Sequence, residues 1–377
     1  MIGYAPPPAW ADLAVLTTIP LRRTADDRAL ARPWMLGGEQ AFWFSRGAWA
    51  LAALARALAK ANGGRAPIFW VPDYFCDQSL WPLREEAAKI RFYPIGLDLA
   101  PDYVACREMA RHEPPEIFVL VHYFGHPADG ARAAEFCREV GALLLEDAAH
   151  VLVPAKGIGS HGDLVLYSPY KTLGLPDGAL LLARETPRDL EPAVRSMAGV
   201  APSPRGWLLK RLVQMSAPRA LGFRLAARGG LAFGEDPKAA PLPATARASR
   251  VARSLVARAD QGLVSSAERR FGQAATLTEV FAAREGWAPL FEKVPAGVAP
   301  YRLVMRCADE ATAATLYARI RAGRGLAETW PDLPPEVRAA PERHSQALAL
   351  RRTLLLFPVH HRLAPEALAR LYRPLVT

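Results

Sequence analysis

Cysteine and lysine are scarce in this sequence. Its 377 residues hold four cysteines (Cys76, Cys106, Cys137 and Cys307) and seven lysines. No cysteine pair has the close spacing of a zinc site, and free thiols are expected. His360-His361 has no carboxylate at ligand spacing, so no metal site is expected. Long apolar runs are missing too: none reaches the ~18 residues that cross a bilayer. The N-terminal Met-Ile-Gly-Tyr-Ala-Pro-Pro-Pro has neither the basic segment nor the apolar run of a secretory signal. A cytoplasmic protein is the expectation. There is no internal repeat and no long low-complexity tract, which excludes repeat architectures.

What is present is ordinary globular composition, 51% hydrophobic and 22% charged. At ~150 residues per domain the length suggests two domains. A chain this long buries a sizeable core without disulfides. The net charge of +10 and pI of about 9.7 would suit nucleic acid or an anionic membrane. The basic residues are mostly arginine and are spread along the chain, so nucleic-acid binding is not expected. One stretch concentrates them: WLLKRLVQMSAPRALGFRLAARGGL (207–231) mixes Trp, Leu and Phe with Lys210, Arg211, Arg219, Arg224 and Arg228. Residues 207–228 could touch an anionic membrane, but Pro218 interrupts them. A dimer or lid surface would use the same residues and is the favoured reading.

Residues 46–61 predict a helix rich in Ala and Leu, with Ser45 as N-cap and Gly63-Gly64 at its end. PIFWVP (67–72), IRFYPI (90–95), EIFVLVHYF (116–124), ALLLED (142–147), DLVLYS (163–168) and GALLLA (178–183) predict strands. Helical stretches around 77–88 and at 128–140 fall between them. Strands alternating with helices predict a mainly parallel sheet covered on both faces, with ligands at the carboxyl ends of its strands. Recurrent prolines from about 185 to 245 mark an excursion, and 246–284 reads as helical. The division expected is a large domain over 1–284 and a smaller α+β domain over 285–377. The smaller one should carry strands at 301–307 and 353–359, a helix at 310–322 and a last helix from 365.

The informative block is LLLEDAAHVLVPAKGIGSHGDLVLYSPYKTLGLPDGALLL (143–182). Glu146-Asp147 ends one strand, His150 follows, Ser168 ends the next strand, and Lys171 stands three residues on. A lysine can form a Schiff base and shuttle protons. A carboxylate can keep a pyridine nitrogen protonated, so that the ring works as an electron sink. A hydroxyl and a helix N-terminus can hold a phosphate. These are the needs of a pyridoxal 5′-phosphate (PLP) site, and Asp147, Lys171, Ser168 and the start of the 46–61 helix can meet them. Each residue also has a plainer reading: Asp147 as a turn cap, Lys171 as a surface lysine, His150 as a core histidine. Their order on successive strand ends favours the joint reading.

The layout resembles the DegT/DnrJ/StrS aminotransferases, fold-type-I PLP enzymes, from roughly residue 40 to 183 and again near the C-terminus. VHYFGHPAD (121–129), LLLEDAAHVL (143–152), GSHGDLVLYS (159–168) and FPVHHRLAPEAL (357–368) carry the resemblance. It implies that Asp147 pairs with the pyridine nitrogen and His150 lies near the ring hydroxyl, where the family usually has glutamine. Ser168 and the helix start Gly47-Ala48-Trp49 would hold the phosphate, with Arg46 adding charge. Lys171 would be the Schiff-base lysine. An aromatic after the 67–72 strand should stack on the ring, Phe75 first and Tyr74 as the alternative.

Three features depart from that pattern. Only Pro169 and Tyr170 separate Ser168 from Lys171, two residues fewer than usual. Ala48 stands where the family has threonine. The Gly-Tyr-Asn-x-Arg segment that reaches into a partner's site is missing. The resemblance implies an aminotransferase using an amino donor and a keto acceptor, such as a nucleotide-linked keto-sugar in polysaccharide biosynthesis, and a homodimer. A PLP fold kept as a binding or scaffold module, or a different PLP reaction such as dehydration, stays open.

Overall fold

The computed structural model describes residues 6, 26–184, 190–216, 233–234, 242 and 244–376, except 260, 261, 283, 324 and 331. The predicted basic segment therefore lies outside the described residues from 217 to 231, and so does much of the 185–245 excursion. Among the described residues no helix is long and apolar enough to cross a membrane.

Seven strands form the main sheet: β1 (Gln40–Phe44), β2 (Ile68–Pro72), β3 (Lys89–Tyr93), β4 (Ile117–Val121), β5 (Leu143–Ala148), β6 (Leu164–Tyr167) and β7 (Ala179–Ala183). Their order is β1-β7-β6-β5-β4-β2-β3. The five strands β2 to β6 run parallel, while β7 is antiparallel to both β6 and β1. The all-apolar IFVLV of β4 and ALLLA of β7 are buried along their whole length, as expected for strands covered on both faces. β1 completes the sheet, although its QAFWF was not singled out as a strand.

Helix Gly47–Ala61 packs on this sheet with Ala50, Ala52, Ala53, Ala55 and Ala57 buried. Alanine is a strong helix former, and its small side chain lets the helix lie close to the strands. The helix begins one residue later than expected, and its N-cap is Arg46, which makes no side-chain cap bond. The expected cap, Ser45, is committed elsewhere: its hydroxyl donates to the Thr245 carbonyl at 2.6 Å, and its N–H donates to Ala246. Helix Gly130–Val140 matches expectation, capped by the Asp129 carboxylate and stopped by left-handed Gly141. The helix expected around 77–88 is instead a 3-10 turn, Asp77–Leu80, followed by a short helix, Trp81–Glu85, with Pro82 in its first turn.

The short strand β8 (Val200–Ala201), inside the excursion, pairs with β9 (Ala248–Ser249), just past its end. The C-terminal part has an antiparallel sheet of β10 (Trp287–Pro289), β11 (Arg302–Cys307) and β12 (Leu354–Pro358). Helix Leu263–Ala282 packs on it through Leu277 and Phe281, beside helices Glu310–Ala322 and Pro365–Val376. The architecture is α/β, a mainly parallel sheet flanked by helices with a smaller antiparallel C-terminal sheet.

Candidate functional site

The carboxyl ends of β5 and β6 and the N-terminus of helix Gly47–Ala61 meet around a cavity of about 230 Å3. Asp147, Ala149, Ser168, Lys171, Gly47, Ala48 and Phe75 line it, together with Arg46, Tyr170, Gln78 and Ser79. The structure thus brings together residues that lie more than 100 positions apart in sequence.

Alternation along β5 separates the two carboxylates of the Glu-Asp pair. Glu146 is fully buried and folds the loop that follows. One oxygen accepts the N–H groups of His161 and Gly162, and the other accepts those of Gly159 and His122 Nε2, all at 2.5–2.7 Å. Burial opposes its charge, yet His122 and these backbone donors hold its pKa down at about 2. Arg184 clamps the same loop from the other side, donating to the carbonyls of Gly159 and Gly162. Gly159 has φ +67, and a Cβ there would come 2.5 Å from the Tyr167 hydroxyl, so only glycine fits.

Asp147 points the other way, into the cavity. One of its oxygens accepts the Ala149 N–H at 2.9 Å. Burial raises its pKa, while the Lys171 ammonium and the Ala149 N–H pull against that rise. Lys171 sits in the helical turn Pro169–Thr172. Burial opposes its charge as well, but Tyr170, Asp147, Tyr301 and Cys76 outweigh burial and lift its pKa above the ordinary lysine value.

His150 is buried, with Nε2 3.4 Å from Lys171 Nζ. Its Nδ1 accepts the Phe124 N–H at 3.2 Å. A neutral imidazole that accepts at Nδ1 carries its proton on Nε2. Burial and the Lys171 charge push its pKa well below the ordinary value, so it is neutral at pH 7. The Tyr301 ring stacks on it at 4.5 Å and 3°. Phe124 is held at φ 56, a left-handed conformation rare for a bulky residue, and its carbonyl accepts the Tyr301 N–H at 2.7 Å.

The far end of the cavity is suited to an anion. Helix Gly47–Ala61 starts with no side-chain cap, so its first N–H groups and its positive dipole end face the site. Gly47 lies against β6: a Cβ there would stand 3.1 Å from Leu166 and 3.5 Å from the Ser168 hydroxyl. Arg46 packs its guanidinium on the Tyr170 ring at 4.1 Å, anchored on the Ser45 and Pro176 carbonyls.

Not every expected residue takes its place. His150 is not among the lining residues and adjoins the cavity through Lys171, and Trp49 does not line it either. Its side chain packs against the main core, and its N–H donates to the Arg46 carbonyl at 3.2 Å. Tyr74 stacks on Trp330 in a buried aromatic cluster, so of the two expected stacking aromatics Phe75 lines the cavity, where Tyr170 joins it. Tyr170 and Tyr301 are not among the expected site residues. Tyr170 adjoins Lys171 inside the motif, whereas Tyr301 arrives from the C-terminal part and has no local signal.

No family model matches the sequence. Serine hydroxymethyltransferase of Campylobacter jejuni is 32% identical over 139 residues, covering 35% of this chain and 32% of that enzyme. The chain thus spans about a third of the length of the curated relatives it matches. Similarity to solved structures runs end to end. The aminotransferase TlmJ from Streptoalloteichus hindustanus superposes with a TM-score of 0.69 at 19% identity, over 100% of this chain and 98% of that one. Helicobacter pylori PseC, an aminotransferase involved in the biosynthesis of pseudoaminic acid, does so with 0.71 at 14%, over 99% and 98%. A DegT DnrJ EryC1 StrS aminotransferase from Brucella abortus gives 0.69 at 15%, over 97% and 94%. Over its whole length, the chain has the fold of these aminotransferases.

Proposed function

We propose that the protein is a PLP-dependent aminotransferase that passes an amino group from a donor to a keto acceptor, with Lys171 as its catalytic lysine. One observation carries the reading: Lys171, Asp147 and an uncapped helix start beside Ser168 surround a single cavity. This donor set suits the cofactor at both of its polar ends. Arg46, Ser168 and the N–H groups of Gly47 and Ala48 would hold the phosphate. Asp147 would hold the ring nitrogen through the oxygen not engaged by Ala149. When bound, the cofactor supplies an electron sink for the carbon that carries the amino group.

The chain's own residues supply the rest. Phe75 offers an aromatic face at the cavity. His150, neutral and fixed in one tautomer by the Phe124 N–H, presents its Nε2 proton beside Lys171. Lys171 Nζ takes a proton from the substrate carbon and returns it on the far side of the transfer. A placed base of this kind is worth ~10²–10⁴-fold in rate.

Overlay on PseC and on a putative sugar aminotransferase from Streptococcus pneumoniae, solved in PLP and PMP forms, supports a keto sugar as acceptor. A homodimer and a cytoplasmic setting belong to the same proposal. A monomer by light scattering at micromolar concentration would count against the dimer. The activity test is a half-reaction: PLP-loaded protein mixed with glutamate should release the keto acid and lose its visible band, and a keto sugar should restore the band. Failure of every amino donor to release a keto acid would remove aminotransfer. The remaining choices would then be a different PLP reaction, such as dehydration, or a fold kept as a binding module.

A further inference from the structure

Helix Leu263–Ala282 carries a cation far from any solvent. Arg270 is buried, and among the described residues the charged groups acting on it include Arg302 and Tyr301 but no carboxylate. Its guanidinium binds three backbone carbonyls instead. Nη2 donates to Thr172 at 2.7 Å, and Nη1 donates to Val359 at 2.9 Å and to Pro300 at 3.3 Å. Its Nε has no acceptor. Burial and the neighbouring Arg302 charge push its pKa down to about 9, which leaves it positive at pH 7. One helical turn on, Gln273 donates to the carbonyls of His360 and Leu363 at 2.9 and 2.5 Å.

A buried, unpaired charge is expensive, and an apolar side chain would pack the same space at lower cost. What the guanidinium holds explains its presence. Thr172 follows Lys171 in the same helical turn. Pro300 precedes Tyr301, which stacks on His150 and bonds to Phe124. Val359 follows the end of β12 in the C-terminal sheet. One rigid, planar group therefore ties the lysine turn, the Tyr301–His150 stack and the C-terminal sheet to one helix. Only arginine offers several donors in a fixed fork; lysine offers a point charge.

We infer that Arg270 is a positioning residue that sets Lys171 Nζ against His150 and registers the C-terminal sheet to the lysine turn. The inference rests on Lys171 being the cofactor-binding lysine. A misplacement of ~1 Å at a reacting group costs about 10²-fold. We therefore expect Arg270→Lys and Arg270→Ala to lose about that factor in kcat, with KM for the amino donor little changed.

The experiment uses the PLP-loaded full chain. It measures kcat and KM, the pH midpoint of the visible band, and recovery on adding guanidinium ion at non-denaturing concentration, with ammonium as control. The expected result is a lowered kcat, a displaced midpoint in both variants, and recovery of Arg270→Ala by guanidinium but not by ammonium. If Arg270→Ala does not fold, Arg270→Lys carries the test through the band midpoint and the kcat–KM split. Wild-type kcat and midpoint in Arg270→Lys would overturn the inference. So would a loss of activity in Arg270→Ala with an unmoved midpoint and no recovery, because Arg270 would then serve stability alone. A wild-type protein with no band would instead refute the cofactor reading itself.

Discussion

The carboxylate next to the candidate catalytic aspartate offers a quantitative test. Glu146 is buried, and its two oxygens receive four N–H donors, among them three backbone groups of the glycine loop. Its pKa is about 2 in the folded protein against an ordinary 4.5. A folded value below the unfolded one means stability that is complete above about pH 4.5 and is lost as the pH falls through 2. The shift corresponds to about 3 kcal/mol at pH 7 and about 1.4 kcal/mol at pH 3. Glu146→Gln keeps the shape, removes the charge and turns an amide NH2 toward two N–H donors.

Urea unfolding of both proteins, followed by near-ultraviolet circular dichroism from pH 7 to pH 3, measures the difference. The variant should be less stable at pH 7, and the gap should narrow by about 2 kcal/mol between pH 7 and pH 3. A gap that is absent, or that stays constant across this range, would refute the ionised role of Glu146. Because Glu146 adjoins Asp147 in β5, the variant should also bind PLP more weakly at pH 7, as equilibrium dialysis would detect.

Gly159→Ala places a Cβ 2.5 Å from the Tyr167 hydroxyl at φ +67, and thermal unfolding should register a loss of about 1–3 kcal/mol. His126 stacks on Phe291 at 3.6 Å, and burial depresses its pKa from 6.5 to about 4. Its neutral form supports the fold above pH 6.5, and that support fades as the pH falls toward 4. Wild type should therefore lose stability relative to His126→Phe over that window, and parallel pH profiles would contradict this. Arg46→Met should weaken PLP binding by about tenfold if the guanidinium contributes a typical charge-assisted bond, read by fluorescence titration with inorganic phosphate as competitor.

The central sheet was readable because the period and burial of its strands are local properties. IFVLV and ALLLA have no polar residue to place at a surface. The site was readable to the extent that it is sequential: Asp147, His150, Ser168 and Lys171 lie within one stretch, each at or just past the end of a strand. Parts that depend on distant partners were not. Ser45 has the chemistry of an N-cap, but the Thr245 carbonyl, 200 residues away, takes its hydroxyl. Trp49 falls on the side of its helix that packs into the core, a choice set by the sheet it meets. Tyr301 and Arg270 reach the lysine turn from the C-terminal part, where arginines are too numerous for one to stand out. β1 is a five-residue strand at the end of the main sheet, paired antiparallel with β7, and nothing in QAFWF alone announces that pairing.

One lysine decides the chemistry of this site. PLP-incubated wild type and Lys171→Ala should be compared by absorbance from 300 to 500 nm, before and after borohydride, followed by mass analysis of the peptide containing residue 171. The expected result is a visible band in wild type alone, removed by borohydride, with the added mass fixed on Lys171. A band of equal strength in Lys171→Ala, or the added mass on another of the seven lysines, would contradict the assignment of this site.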